Sequence, residues 1–287
     1  MNLTKLTLYF FAIAILVLLG VSCESNGQSS KKSTDKNKTP VEEFSAFNRE
    51  LIIPIQGDSI SGYAFIASGE TPKETVILIA GYPGNDNNFD IAHEIRRNGN
   101  NVIHFNHRGA WGSQGNYMYS NCLEDVSELI DYLSQNERSK DLRIDTTNFI
   151  LLGRSYGGGI ALIAGSQIDA VSKVVALSSV NYGEIMEKYK DVNELSAFKK
   201  YMQKQIMIKT NIDAFLQELL DNKIKYNITQ YKELLEEKSV LLVEDTRKNE
   251  SWIKELKEAD YVLMESDHNF IDQRKELAKT IVDWIHE

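Results

Sequence analysis

Gly153-Arg154-Ser155-Tyr156-Gly157 is the stretch of this 287-residue chain whose residue types and spacing most resemble those of an activated nucleophile. On its own a G-x-S-x-G is weak, since chance supplies it in about one chain in ten of this length. Its surroundings make it stronger: the apolar run NFILLG (148–153) precedes it and the helical pattern GGIALIAG follows. A serine at such a strand-to-helix elbow sits on a tight, strained turn that demands small neighbours. Its hydroxyl faces the free N–H groups of a helix N-terminus, which favour a developing oxyanion. The chemistry would be acyl transfer to water through a serine ester, and for that the hydroxyl needs a base. Among five histidines, His93 lies in a helical pattern, His104 inside a strand, His107 in an HRG turn and His286 in the C-terminal tail. His268, in Ser266-Asp267-His268-Asn269-Phe270, falls between the last strand and the last helix, where it would reach the sheet edge that carries Ser155.

Those two residues need a sheet to bring them together, and the apolar pattern supplies one. RELIIPIQ (49–56) and SGYAFIA (61–67) read as a hairpin around Gly57-Asp58. TVILIA (75–80), NVIHFN (101–106), NFILLG (148–153), KVVALS (173–178), SVLLVE (239–244) and YVLMES (261–266) are near-continuous apolar runs, as parallel strands buried on both faces require. Between them lie the helical patterns FDIAHEIRR, CLEDVSELIDYL, the segment after Ser155 and QRKELAKTIVDWI, whose Leu277, Ile281, Trp284 and Ile285 share one face. The alternation predicts an α/β class: a doubly wound, mostly parallel sheet of eight strands. Residues 183–236 interrupt it with helical patterns and no strand, and we expect a helical lid there, because ligands in such sheets sit beyond the carboxyl ends of the strands.

Composition limits the alternatives. A chain that is 42% hydrophobic and 25% charged is globular rather than disordered. A net charge of −9 argues against a nucleic-acid partner. Two cysteines, Cys23 and Cys122, exclude a disulfide scaffold or a multi-cysteine zinc site, and no phosphate loop or dinucleotide fingerprint is present. No cofactor and no metal are expected, and Cys122 reads as a buried structural thiol.

Taken together, the motifs resemble the α/β-hydrolase fold superfamily, its esterase-like and serine-aminopeptidase-like members in particular, over residues 49–287. Ala80-Gly81-Tyr82-Pro83-Gly84 stands where that family carries its oxyanion turn. His107 to Gly115 (HRGAWGSQG) resembles its loop after the next parallel strand, and Asp267-His268-Asn269-Phe270 resembles its terminal histidine motif. The resemblance implies Ser155 as nucleophile, His268 as base and the backbone N–H groups of Tyr82 and Tyr156 as oxyanion hole. It also implies a carboxylate shortly after SVLLVE, at a point where this chain has Lys248. Glu244, Asp245 and Glu250 are the nearby acids. Asp245, short and close to the strand tip, is preferred; Glu250, with the longer reach, is the alternative, and without either the site is a dyad. The substrate would be a carboxylic ester, thioester or peptide amide, of small-molecule or peptide origin. A different class of function, a non-catalytic binding protein that has kept the scaffold, is the rival. Haloalkane or epoxide chemistry would need an aspartate where Ser155 stands.

The N-terminus carries an address. Lys5 precedes a short apolar run from Leu8 to Leu19, too short to span a bilayer and suited to a signal peptide. Leu19-Gly20-Val21-Ser22-Cys23 resembles a bacterial lipobox, which implies cleavage after residue 22, lipidation of Cys23 and an exported, membrane-anchored protein of the cell envelope. The polar run ESNGQSSKKSTDKNKTP (24–40) cannot bury a core, so residues 23–48 read as a flexible tether ahead of a hydrolase domain over 49–287.

Overall fold

The computed structural model describes residues 44–84 and 88–287. The expected signal peptide (1–22), the lipidated Cys23 and the tether up to residue 43 lie outside the described residues. A single sheet of eight strands organises what is described, in the order β1-β2-β4-β3-β5-β6-β7-β8. The strands are β1 (Phe47–Ile55), β2 (Asp58–Ile66), β3 (Lys73–Ile79), β4 (Asn101–Phe105), β5 (Ile144–Arg154), β6 (Val171–Leu177), β7 (Ser239–Glu244) and β8 (Asp260–Leu263). β2 pairs antiparallel with both β1 and β4, and every other pairing is parallel. Every predicted strand is present. β1 starts at Phe47, inside the segment read as tether, because the Phe47 ring is partly buried against the core and lies under the guanidinium groups of Arg49 and Arg143. The hairpin turns through Gln56 and Gly57, both at positive φ, as a two-residue loop between twisted strands requires.

The period of two along the strands divides the core. Ile77, Ile79 and Leu151 face one side of the sheet while Val76, Leu78, Ile150 and Leu152 face the other. The second side is covered by α1 (Phe89–Arg97) and the C-terminal helix, α10 (Arg274–Ile285). The first is covered by α2 (Tyr119–Ser134), which the short α3 (Asn136–Asp141) follows, and by α4 (Tyr156–Gln167). α4 is apolar all round and almost wholly buried, the pattern of a helix with packing on every side. Cys122, on α2, is a fully buried free thiol.

The stretch between β6 and β7 is mainly helical: α5 (Tyr182–Met186), α6 (Ser196–Met202), α7 (Ile212–Asp221) and α8 (Lys232–Leu235), joined by two 3₁₀ turns and by irregular backbone in which Ile208 bridges to Ala110. Its Met186, Phe215, Leu216, Leu219 and Ile228 extend the core on the α2/α4 side. The segment also bonds, main chain to main chain, with the loop after β4. Trp111 N–H donates to Met207 O (3.0 Å), Lys209 N–H to Gly109 O (2.7 Å) and Tyr117 N–H to Lys209 O (2.8 Å). That loop is itself fixed from below: the buried Asp125 of α2 accepts from Arg108 N–H (2.9 Å) and from the Arg108 guanidinium, and lies 3.1 Å from His107 Nδ1.

A second buried carboxyl ties the far end of the sheet. Glu244, at the tip of β7, accepts from Ser179 N–H (3.1 Å) and from Asn249 Nδ2 (2.7 Å), and Asn249 also donates to Ser179 O (2.8 Å). The residues after β6 and after β7 are thereby held as one unit.

Both carboxyls have measurable consequences. Removing Asp125 takes the acceptor from Arg108 N–H and leaves the buried guanidinium with Glu124 and Asn121 O alone, so Asp125→Ala should cost about 1–3 kcal/mol of unfolding free energy in urea titration. A cost near zero would show that the loop stands without it. Burial raises the Glu244 pKa from 4.5 to about 7, so between those values the folded state holds a proton that the unfolded state has lost. Its contribution to stability is complete below pH 4.5 and is lost as pH rises through 7. Glu244→Gln should flatten that fall in stability-versus-pH curves, and an unchanged slope would contradict it.

Candidate active site

Ser155 sits between the end of β5 and the first turn of α4 with φ 56° and ψ −119°, a strained conformation for a residue with a side chain. The elbow closes this tightly because its flanks are glycines. A Cβ on Gly153 would stand 2.0 Å from Gly157 O, and one on Gly157 2.3 Å from Ile79 O. Ser155 N–H is held by Leu177 O (2.8 Å), and Ser155 O accepts from Gly158 N–H and Val180 N–H (both 3.0 Å).

The turn after β3 crosses directly over the elbow. A Cβ on Gly81 would stand 3.4 Å from Ser155 Cβ, and Tyr82 follows, joined to Pro83 by a cis peptide bond. Trp111 Nε1 donates to Pro83 O (2.6 Å), fastening this turn to the loop after β4. Among the described residues neither Tyr82 N–H nor Tyr156 N–H donates to a protein acceptor. Tyr156 is the first residue of α4, where the helix dipole adds positive potential. The two groups expected to form the oxyanion hole thus flank Ser155.

His268 is placed by its loop. Asp267 Oδ1 accepts from Asn269 N–H (2.8 Å) and Ile271 N–H (3.1 Å), and Phe270, with φ 56°, is fully buried in the core on the α1/α10 side. Arg154, the residue before Ser155, donates from Nη1 to His268 O (3.3 Å), which ties the histidine loop to the elbow. His268 Nδ1 lies 3.3 Å from Asp245 Oδ2, so Asp245 is the carboxylate that meets the imidazole. The Asp245 side chain is 5% exposed, and its backbone N–H donates to Ser178 Oγ (3.3 Å). Glu250, the alternative acid, is half exposed on α9 (Glu250–Ile253) and pairs with Arg247 (2.8 Å). Glu244 is taken up by Ser179 and Asn249 and does not reach the ring. Ser155 Oγ makes no hydrogen bond among the described residues, so the serine and the histidine share a sheet edge without being joined.

Sequence reasoning missed one member of this group. Lys248 Nζ donates to Asp245 Oδ1 (3.2 Å) and Oδ2 (3.5 Å) and lies 3.5 Å from His268 Nδ1. Burial leads the forces on both titrating groups. It lowers the His268 pKa below the ordinary imidazole value, with Lys248 adding to the effect and Asp245 opposing it. At Asp245 burial pushes upward, but Lys248, Ser178 and His268 together outweigh it and the carboxyl ends below the usual range. The signal in the sequence was the spacing: Lys248 follows Asp245 by one 3₁₀ turn, which folds its ammonium back over the carboxylate.

A group of tyrosines packs beside the elbow. Tyr82 packs against Tyr117, Tyr156 and Tyr201 at ring-centre distances of 5.6, 6.2 and 5.9 Å, and Tyr156 against Tyr182 at 5.7 Å. The group draws on the turn after β3 and on the helical insertion, and its Tyr117 and Tyr156 are buried in the core. A cavity of about 530 Å³ lies between α1 and α10, lined by Asp90, Arg97, Arg274 and Lys279 among others, and includes none of the Ser155 group.

Comparison with solved structures returns the same architecture. Est1E from Butyrivibrio proteoclasticus, in a structure with ferulic acid bound, superposes with a TM-score of 0.65 at 13% identity, covering 82% of this chain and 97% of that one. The Pyrococcus furiosus esterase Pf2001 gives 0.58 at 16% identity, covering 85% and 91%. A thioesterase domain from the curacin biosynthetic pathway gives 0.53 at 15% identity, covering 82% and 99%. At these identities the likeness is one of fold. No curated protein sequence matches the chain. The BD-FAE family model, however, matches residues 67–276, from the end of β2 into α10, and on that match this α/β-hydrolase-fold chain belongs to the BD-FAE family.

Proposed function

We propose that the protein is a serine hydrolase that cleaves a carboxylic ester through an acyl-enzyme on Ser155. The observation that carries the proposal is the convergence of a strained serine, two flanking backbone N–H groups and a carboxylate-bound imidazole at the carboxyl ends of β3, β5, β7 and β8. Asp245 accepts from His268 Nδ1–H and so leaves the Nε2 lone pair for the serine proton. Ser155 Oγ attacks the ester carbonyl carbon as its proton passes to Nε2, and the carbonyl oxygen takes up charge between the N–H groups of Tyr82 and Tyr156. The alcohol leaves with the proton from Nε2. Water, activated by the same nitrogen, then releases the acid. Catalytic contacts commonly tighten only with substrate bound, which is compatible with an unjoined serine and histidine in the free site.

Two further features bear on the substrate. The charged groups facing His268 are Asp245, Lys248 and Arg154. A free substrate amine would meet two cations there, which favours an ester over a peptide with an open N-terminus. We read the tyrosine group beside the elbow as a wall that would suit a flat, apolar acyl group; Est1E, with its bound ferulic acid, offers a parallel. We read the 183–236 insertion as the lid that carries part of that wall. The lipobox-like leader supports export and anchoring through Cys23, with a small-molecule ester met outside the cytoplasm. The intact Ser155 surroundings weigh against the binding-protein alternative.

Labelling with a fluorophosphonate probe tests the nucleophile: wild type should react and Ser155→Ala should not. Its kcat should fall by at least about a thousandfold with folding unchanged. A well-folded wild type that stays unlabelled would overturn the proposal. The acid is separable in the same assay. Asp245→Asn should slow labelling by at least about a hundredfold through the wrong tautomer, while Glu250→Gln should react like wild type. The reverse pattern would assign the role to Glu250.

A further inference from the structure

His268 Nδ1 has two neighbours whose demands conflict. Asp245 Oδ2, at 3.3 Å, can only accept, so it requires a proton on Nδ1. Lys248 Nζ, at 3.5 Å, can only donate, so it requires a lone pair there. One ring nitrogen cannot satisfy both. In the first arrangement Nε2 carries the lone pair and can take a proton from Ser155; in the second Nε2 is protonated and cannot.

We infer that Lys248 is a positioning residue that competes with Asp245 for His268 Nδ1 and so governs which tautomer the imidazole turns toward Ser155. The inference rests on the serine-hydrolase reading of the site. Lys248 is well placed for the part. Its side chain is 46% exposed, while Asp245 beside it is nearly buried. The ammonium also binds both oxygens of that carboxylate, at 3.2 and 3.5 Å, so it draws acceptor strength away from the imidazole even when it does not touch the ring. The other charged group facing His268 is Arg154, from the end of β5, and Glu244 is the further acid that feels Lys248. Neither hydrogen-bonds to Nδ1. The long Asp245–His268 contact and the unjoined Ser155 hydroxyl are what a contested nitrogen would produce.

The test compares the full chain as wild type, Lys248→Met and Lys248→Arg. Imidazole ¹⁵N shifts of His268 report the tautomer without any turnover. Lys248→Met should move the population toward Nδ1–H, and Lys248→Arg, which keeps a donor-only cation, should stay near wild type. In kcat/KM profiles, removing the cation should move the acidic limb upward by about one pH unit at low salt, because a like charge no longer opposes the imidazolium. The plateau above the limb should rise about threefold as the productive tautomer gains. In high salt the wild-type and Lys248→Met limbs should draw together. Unchanged ¹⁵N shifts and an unmoved limb, in a protein whose activity still depends on Ser155, would overturn the inference and leave Lys248 a solvated side chain. Absence of Ser155-dependent activity in every variant would instead overturn the hydrolase reading, and the role given to Lys248 with it.

Discussion

The closeness with which three pieces of main chain pass one another at the end of β5 governs the rest of this molecule. Gly153, Gly157 and the carbonyl of Ile79 leave no room for a methyl group, and a Cβ at either glycine would fall inside 2.4 Å of a backbone oxygen. Because that space is empty, α4 can start immediately after the strand, and the turn from β3 can lie over its first residue. Ser155 is held in its strained conformation by this contact rather than by any partner of its side chain. The two N–H groups beside it follow from the same geometry, since one begins the helix and the other belongs to the crossing turn. Were the helix to begin even one residue later, the strained turn and the pair of N–H groups beside Ser155 would be lost together.

Around that point the carboxyl edge is assembled by buried polar ties rather than by apolar packing alone. Asp125 holds the loop after β4, Glu244 holds the loops after β6 and β7 against each other, and Phe270 pins the histidine loop in the core. Each tie fixes main chain and leaves a side chain at the edge free to work. The resulting electrostatics are mixed. Asp245 is the sole carboxylate contacting the imidazole among the described residues, and it is shared with an ammonium group. A site of this kind is set by the balance of close charges, which a change of one residue can tip.

Much of this was legible beforehand, and the reasons are specific. Five of the six core strands announce themselves as continuous apolar runs because both of their faces are buried, whereas β8, at the edge of the sheet, is exposed or half-buried along its length; SVLLVE matches β7 residue for residue. Ser155 and His268 could be found because their positions are topological: one follows a strand and opens a helix, the other lies between the last strand and the last helix. Among the carboxylates, Asp245 could be preferred over Glu250 but not separated from it, because their reach depends on the path of a short loop. Here a 3₁₀ turn carries Glu250 outward and leaves Asp245 at the tip. Lys248 stood in the sequence as a departure from an expected carboxylate, and its spacing of three residues from Asp245 was the cue to its place. Its contact with the same ring depends on that turn as well, and no periodicity encodes it. The start of β1 at Phe47 was missed for a related reason, since the polar residues around it conceal a ring that packs beneath two arginines.

The main-chain bonds between residues 207–209 and the loop after β4 make that part of the insertion answer to the backbone of its neighbour rather than to its side chains. Substitution there is tolerated easily, whereas addition or removal of a residue shifts every bond at once. The two halves of the insertion also hold each other: Gly183 N–H donates to Tyr226 O (3.0 Å), Asn181 Nδ2 to Asn227 Oδ1 (2.9 Å), and Lys223 pairs with Glu187 (3.0 Å). With the clasp at 207–209 fixed and its flanks tied across to one another, a change of length on one side has to be absorbed by the other side as well.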